Sequence, residues 1–103
     1  MCWTLRRDSV PAAESLDRIN WATTNGSTDE GAIPAKYKEL MGLVVSAGLR
    51  CDDCINYHVI QSYRLGATRP EEEEALNVAL VVGGSIVIPH LRRAYELLAE
   101  LYG

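Results

Sequence analysis

The composition of this 103-residue chain excludes several classes of protein. A hydrophobic fraction of 48% with 23% charged residues describes an ordered globular protein, and the length fits a single domain. The formal net charge of -4 argues against a nucleic-acid partner, and the N-terminal arginines are not followed by an apolar run that could enter a membrane. We therefore expect a cytoplasmic protein with neither a nucleic acid nor a membrane as partner.

The N-terminal part of the chain is interpreted as an arm in front of a helical core. A proline followed by spaced apolar residues predicts a short helix over residues 10–21, and a run of turn-forming residues predicts a loop over residues 23–31. We therefore treat residues 1–103 as one domain, with an N-terminal arm at residues 1–32 and a core at residues 33–103.

The core pattern predicts four helices. They are expected over residues 34–48, 51–65, 68–83 and 85–101. Thr68 is the expected N-cap of the third helix, and Ser85 is the expected N-cap of the fourth. The acidic run from Glu71 to Glu74 is interpreted as a solvated helix start, where carboxylates suit the helix dipole. No segment shows the alternation of period two that is typical of a strand, so the fold class is all-α.

Two of these helices carry more apolar surface than one small subunit can bury. The first, and the second half of the third, are apolar on nearly every face. Such surface in a short chain is commonly covered by other copies of the same chain. We therefore expect a homo-oligomer.

The residues best suited to chemistry are Cys51, Cys54 and His58 in the second helix. At about 100° per residue they fall within roughly a 60° arc of one face. Residues three apart in a helix are close enough to form a disulfide, so the two thiols could pair with little backbone movement. His58 lies one turn beyond Cys54 and could exchange a proton with it, and a helical hairpin could bring the Glu39 carboxylate to His58. A base and a helix N-terminus both favour the reactive thiolate.

A metal site is the main competing use of the same residues. Cys51, Cys54, His58 and Glu39 could supply four ligands, but zinc sites usually draw a second pair from a separate knuckle, and the chain has no second cysteine pair. We therefore expect no metal. A c-type haem is disfavoured because Ile55, instead of a histidine, follows the second cysteine. A thioredoxin fold is disfavoured because the cysteine pair is not beside a βαβ pattern. His90 has no partner in the sequence and is interpreted as structural.

The spacing of these residues resembles a known family. The matching features are Glu39, the Cys51-x-x-Cys54-x-x-x-His58 motif, Gly66-Ala67-Thr68 and the pair Gly83-Gly84. Together they resemble the alkylhydroperoxidase D and carboxymuconolactone decarboxylase family over roughly residues 33–101. The resemblance implies a compact all-helical subunit that assembles as a homotrimer or homohexamer. It also implies membership of the branch that reduces hydroperoxides with a thiol pair and without a bound cofactor.

The resemblance also implies roles for individual residues. Cys54 matches the thiol that attacks peroxide, Cys51 the partner that closes the disulfide, and Glu39 with His58 the proton relay. The helix dipole alone would instead favour Cys51 as the more acidic thiol. This chain also departs from alkylhydroperoxidase D, because Asp53 replaces a histidine before the second cysteine. Carboxylates beside the thiols oppose thiolate formation and predict weaker peroxidase activity.

Three functions are therefore compared. The first is a thiol-dependent peroxidase or disulfide oxidoreductase, whose partners would be a hydroperoxide substrate and a thiol reductant protein. The second is a non-enzymatic redox-sensing oligomer, in which the disulfide changes packing. The third is a lactone decarboxylase like those of the other branch, in which the two cysteines would have no task. The sequence favours the first.

Overall fold

The computed structural model describes residues 29–103, and in this range the chain is helical. The elements are α1 (Ala35–Gly48), α2 (Asp52–Arg64), α3 (Arg69–Gly83), a 3₁₀ turn (Ser85–Val87) and α4 (Ile88–Tyr102). The all-α class is confirmed, and the four predicted core helices are present. The helix predicted over residues 10–21 and most of the loop predicted over residues 23–31 lie outside the described residues.

The connections between the first three helices are short and hydrogen-bonded. α1 ends in a Schellman motif, in which the Cys51 N–H donates to the Ser46 carbonyl over 3.1 Å. The left-handed residue of this motif is Arg50, with φ 60°, rather than a glycine. α2 ends in the same motif, and there Gly66 has φ 90°. The first of these turns brings α2 into contact with α1.

Of the two predicted N-caps, Thr68 is confirmed and Ser85 is not. Thr68 caps α3 in a full capping box, in which its side chain accepts from the Glu71 N–H and the Glu71 carboxylate accepts from the Thr68 N–H. The prediction for Ser85 was wrong, because Ser85 begins the 3₁₀ turn and α4 starts at Ile88 without a side-chain cap. The turn inserts three residues between Gly84 and the last helix.

The core lies between four helices in mutual contact. α1 packs against α2 and α3, and α4 packs against the same two helices. The side chains that are fully buried at the centre of this arrangement include Leu43, Ile55, Val59, Leu76 and Leu98. Each core helix thus contributes at least one of them. α2 is fixed from two sides, and this packing sets where its first turn lies.

The acidic run at the start of α3 is not uniformly solvated, which corrects the interpretation of Glu71–Glu74. Glu71 belongs to the capping box and also accepts from Lys36 on α1 over 3.2 Å, while Glu73 pairs with Arg69 over 3.1 Å. Glu72 is completely buried. The helical register directs this one member of the run into the protein, where Tyr102 is its partner.

A set of apolar side chains remains exposed on the described subunit. The most exposed are Val81 at 84%, Val82 at 81% and Leu49 at 72%. Among residues 29–103, none of the helices is both long and apolar enough to cross a membrane.

Candidate functional site

Cys51 and Cys54 form a disulfide at the beginning of α2. Their Cα atoms are 5.2 Å apart, within the usual range for such a bond. Cys54 is exposed to solvent, whereas Cys51 is half-buried. Cys54 is therefore the cysteine that a substrate in solution can reach more easily.

Cys51 occupies the junction between α1 and α2. Its N–H donates to the Ser46 carbonyl in the Schellman motif, and its sulfur accepts from the Cys54 N–H over 3.3 Å as the N-cap of α2. The sulfur thus lies at the positive end of the helix dipole. A cysteine held at both its backbone and its sulfur is well suited to be the fixed partner of a disulfide whose other half is exposed.

Glu39 and His58 meet across the α1–α2 hairpin. The Nδ1 atom of His58 is 2.7 Å from Oε2 of Glu39. The Glu39 side chain is 5% exposed and that of His58 is 20% exposed, so the contact is shielded but the ring still reaches the surface. His58 follows Cys54 by four residues on α2, and the two residues share a helix face. The α1–α2 hairpin therefore carries all four predicted site residues as two contacting pairs, with His58 one helical turn from Cys54.

Gly42 makes room for the His58 ring and was not singled out from the sequence. A Cβ atom at residue 42 would lie 2.6 Å from Cε1 and 2.8 Å from Nδ1 of His58, too close for any side chain without movement of the ring. The available signal was a glycine inside a strongly apolar helix, three residues after Glu39. Such a glycine often marks a close approach of another group.

Asp52 makes a second polar cluster beside the cysteines, and the sequence did not predict it. The Nδ1 atom of His90 is 2.7 Å from one carboxylate oxygen of Asp52, and Arg93 donates to the other over 2.8 Å. The hydrogen bond to His90 and the charge of Arg93 hold the pKa of Asp52 below its ordinary value. His90 was interpreted as structural because no partner for it was evident in the sequence, and its partner proves to be 38 residues away along the chain.

These contacts define a candidate thiol–disulfide site. An exposed sulfur, a fixed partner sulfur and a carboxylate–imidazole pair lie on one hairpin, an arrangement typical of proteins that exchange electrons through a cysteine pair. In residues 29–103, no three His, Cys, Asp or Glu side chains are grouped so that they could hold a metal ion. Fold and site together define a small all-α protein with a redox-type cysteine pair.

The chain belongs to the carboxymuconolactone decarboxylase family, whose model matches residues 11–97. The match includes most of the core and reaches into the N-terminal arm at residues 1–32. The Cys51–Cys54 pair agrees with the thiol-pair branch of this family.

The chain is also similar to a solved structure. The chain is 50% identical to a carboxymuconolactone decarboxylase family protein of Thermotoga maritima, for which a role in an antioxidative response has been suggested. The TM-score is 0.76, and the alignment covers 86% of this chain and 91% of that one. A second crystal structure of the Thermotoga maritima protein gives a TM-score of 0.74 at 49% identity, with 86% and 83% coverage.

Two curated relatives are uncharacterized proteins. The chain is 36% identical over 58 residues to one from Cupriavidus necator. The aligned region covers 56% of this chain and 51% of the relative. The chain therefore spans about half the length of that relative. It is also 29% identical over 92 residues to uncharacterized protein 4 in the cox locus of Paracoccus denitrificans, with 89% and 83% coverage.

Proposed function

We propose that this protein is a thiol-dependent peroxidase or disulfide oxidoreductase that reduces hydroperoxides with Cys54 and Cys51. The observation that carries the proposal is the exposed Cys54 sulfur bonded to the fixed Cys51 sulfur, one helical turn from the Glu39–His58 pair. Membership of the family and the antioxidative role suggested for the Thermotoga maritima protein support it.

The proposed reaction uses two electrons from the cysteine pair. The Cys54 thiolate attacks the terminal peroxide oxygen of ROOH, the O–O bond breaks, and the leaving alkoxide takes one proton to become the alcohol ROH. Cys54 is then a sulfenic acid. The Cys51 thiol displaces hydroxide from it, which leaves as water with the Cys51 proton, and a disulfide forms. A dithiol reductant reopens the disulfide and is itself oxidised, so the cycle suits a reducing compartment.

Glu39 and His58 are proposed to move the protons of this cycle. The imidazole would take the proton of the Cys54 thiol and return it to the leaving alkoxide, acting as general base and then as general acid. Glu39, fixed by its hydrogen bond to Nδ1, would hold the ring so that Nε2 faces the reaction. Cys54 is assigned as the attacking thiol because it is exposed and is one turn from His58.

The test is a single-turnover oxidation of the reduced protein by one equivalent of cumene hydroperoxide. Free thiols are counted with time, and the disulfide is mapped by mass spectrometry. We expect stoichiometric formation of the Cys51–Cys54 bond, slowed about a hundredfold in His58→Ala and Glu39→Gln, because general acid–base groups contribute at least that factor. Glu72→Gln, which changes a buried glutamate elsewhere, is the matched control and keeps the wild-type rate.

Two results would contradict this proposal. Thiols that oxidise no faster than free cysteine would exclude a peroxidase. Rapid disulfide formation without steady turnover in the presence of excess dithiothreitol would favour a redox sensor over an enzyme.

Lactone decarboxylation is the second candidate, since the family is named for that reaction. The cysteine pair has no part in it. Consumption of a muconolactone by the Cys51→Ser/Cys54→Ser double variant would therefore favour the decarboxylase over the peroxidase.

The protein is also proposed to work as a homo-oligomer, either a trimer or a hexamer as the family resemblance implies. The exposed Val81 and Val82 at the end of α3, together with Leu49 after α1, support self-association because such apolar surface is unfavourable in water. Sedimentation equilibrium measures the subunit number directly, and a monomer at micromolar concentration would contradict this part of the proposal.

A further inference from the structure

Arg93 and His90 bind Asp52, one of the two carboxylates that lie between the thiols in sequence. Asp52 is the first residue of α2 and follows Cys51 directly. One of its oxygens is hydrogen-bonded to His90 and the other to Arg93, so α4 supplies a partner for each oxygen of the carboxylate. His90 and Arg93 are three residues apart and lie on one face of α4. No step of the proposed reaction uses them.

We propose that Arg93 and His90 are positioning residues for the thiol pair: acting through Asp52, they fix the first turn of α2 and neutralise the charge that would otherwise oppose thiolate formation at Cys51 and Cys54. This inference rests on the proposed thiol chemistry, but its test needs no peroxide.

The physical argument is a comparison of charges at the beginning of α2. The helix dipole favours a thiolate there, while a carboxylate in the first turn opposes it through like-charge repulsion. Other ionisable groups near the thiols include Arg50, which directly precedes Cys51, Asp53 and His58 on α2, and Glu39 on α1. Arg50 favours the thiolate and Asp53 opposes it, and neither is changed in the variants used below. Arg93 is always protonated, so its pair with Asp52 has no net charge. The repulsion that a carboxylate beside the thiols would exert is therefore largely offset at Asp52.

A charge cycle separates this role from a purely structural one. In Arg93→Gln the Asp52 charge is left without its cation, and in Asp52→Asn the Arg93 charge is left alone. The two variants must therefore shift thiol reactivity in opposite directions. The double variant, which removes one charge of each sign, must return to the wild-type value. A role in folding alone would make both single variants change in the same direction.

The experiment measures alkylation of the reduced full-length protein by iodoacetamide at a fixed pH below the thiol pKa. The peptide that contains residues 51–64 is followed by tandem mass spectrometry, which separates Cys51 from Cys54. We expect about threefold slower alkylation in Arg93→Gln and about threefold faster alkylation in Asp52→Asn, as suits a partly exposed ion pair. His90→Ala should slow alkylation less than Arg93→Gln, because it removes only a hydrogen bond to the carboxylate.

Two controls keep the result unambiguous. Arg93→Lys retains the charge and should alkylate at the wild-type rate, and 1 M KCl should bring the single variants together by screening. Circular dichroism of each variant verifies that the helices are intact. Shifts of the same sign in both single variants, or a double variant unlike the wild type, would overturn the inference. The peroxidase proposal could fail while the charge cycle held, since alkylation requires only a thiolate.

Discussion

Two glutamates, Glu39 and Glu72, are buried in the structure, and their hydrogen-bond partners differ in chemistry. Glu39 on α1 is paired with an imidazole, the Nδ1 atom of His58, over 2.7 Å. Glu72 on α3 is completely buried, and its partner is the neutral hydroxyl of Tyr102 over 2.5 Å. Burial alone therefore does not define a site. A carboxylate beside a base can take part in proton transfer, whereas one beside a phenol is most easily accommodated with its own proton.

The hydrogen bonds of Tyr102 indicate where that proton lies. Its Oη atom is 2.7 Å from the Ala67 carbonyl oxygen and 2.5 Å from Oε2 of Glu72. The hydroxyl has one proton and the carbonyl can only accept. Both contacts are hydrogen bonds at once only if Glu72 is protonated and donates to Tyr102. Burial, which raises the pKa of Glu72 to about 7, acts in the same direction.

The difference between Glu72 and Glu39 can be tested by three changes. The largest expected effect is a dependence of the free energy of unfolding on pH, caused by Glu72. Its folded pKa of about 7 lies above the ordinary 4.5, so the folded state holds the proton more tightly than the unfolded state. Its contribution is fully present below about pH 4.5 and is lost as the pH rises through 7. The shift corresponds to a change on the order of 3 kcal/mol in the free energy of unfolding.

Urea unfolding of the oxidised protein at a series of pH values measures this change. The Glu72→Gln variant has no proton to lose, so the difference in unfolding free energy between it and the wild type should grow as the pH falls from 8 to 4. Glu74→Gln is the matched control, because that side chain is exposed in the same acidic run. A pH-independent difference for Glu72→Gln would show that Glu72 is ionised when folded.

The second change tests the role of Glu39 by displacing its partner, the His58 ring. A methyl group in Gly42→Ala would occupy the space of the His58 ring, and the ring is expected to swing away from Glu39. We expect single-turnover oxidation to slow about tenfold, while the overpacking destabilises the fold by about 1–3 kcal/mol, partly offset by the better helix propensity of alanine.

The control for this change is Gly48→Ala, also on α1, where a Cβ would have open space. That variant should oxidise at the wild-type rate. An unaltered rate in Gly42→Ala would mean that the relay does not depend on the ring position seen here.

The smallest expected effect on the free energy of unfolding comes from removing the hydroxyl of Tyr102. Tyr102→Phe removes the hydroxyl that can turn its proton toward Glu72 when the carboxylate ionises, so the pKa of Glu72 should rise further above 7. The lost hydrogen bonds should lower the unfolding free energy by about 1 kcal/mol at pH 5. The pH series described for Glu72→Gln measures both quantities. A fall in the pKa of Glu72 would contradict the expectation that the Tyr102 hydroxyl stabilises the ionised carboxylate more than the protonated carboxyl.

Local signals were sufficient for the helices and for the cysteine pair. Pro34, Gly66 and Thr68 mark helix ends through backbone chemistry that acts within a few residues, and the structure begins or ends its helices beside them. The spacing of Cys51 and Cys54 limits their separation whatever the rest of the chain does. The contact of Glu39 with His58 was anticipated because it needs only two helices joined by a tight turn.

The features that sequence reasoning missed depend on packing between distant segments. His90 meets Asp52 only because α4 crosses the beginning of α2, and no local pattern encodes that crossing. Glu72 is indistinguishable from its neighbours in an acidic run until the register of α3 against α4 is known. The predicted cap at Ser85 failed for a related reason, since a 3₁₀ turn takes up the residues after Gly84.

The short α1–α2 connection has a consequence for the order in which the protein folds. Glu39, Gly42, Cys51, Cys54 and His58 all belong to a segment of about twenty residues, joined by a turn in which Arg50 adopts a left-handed conformation. Closing a segment of this length takes little chain entropy, and contacts so near in sequence form quickly. The proposed reactive centre is therefore expected to assemble as one helical hairpin before α4 arrives, and the Asp52 contacts with His90 and Arg93 complete it last.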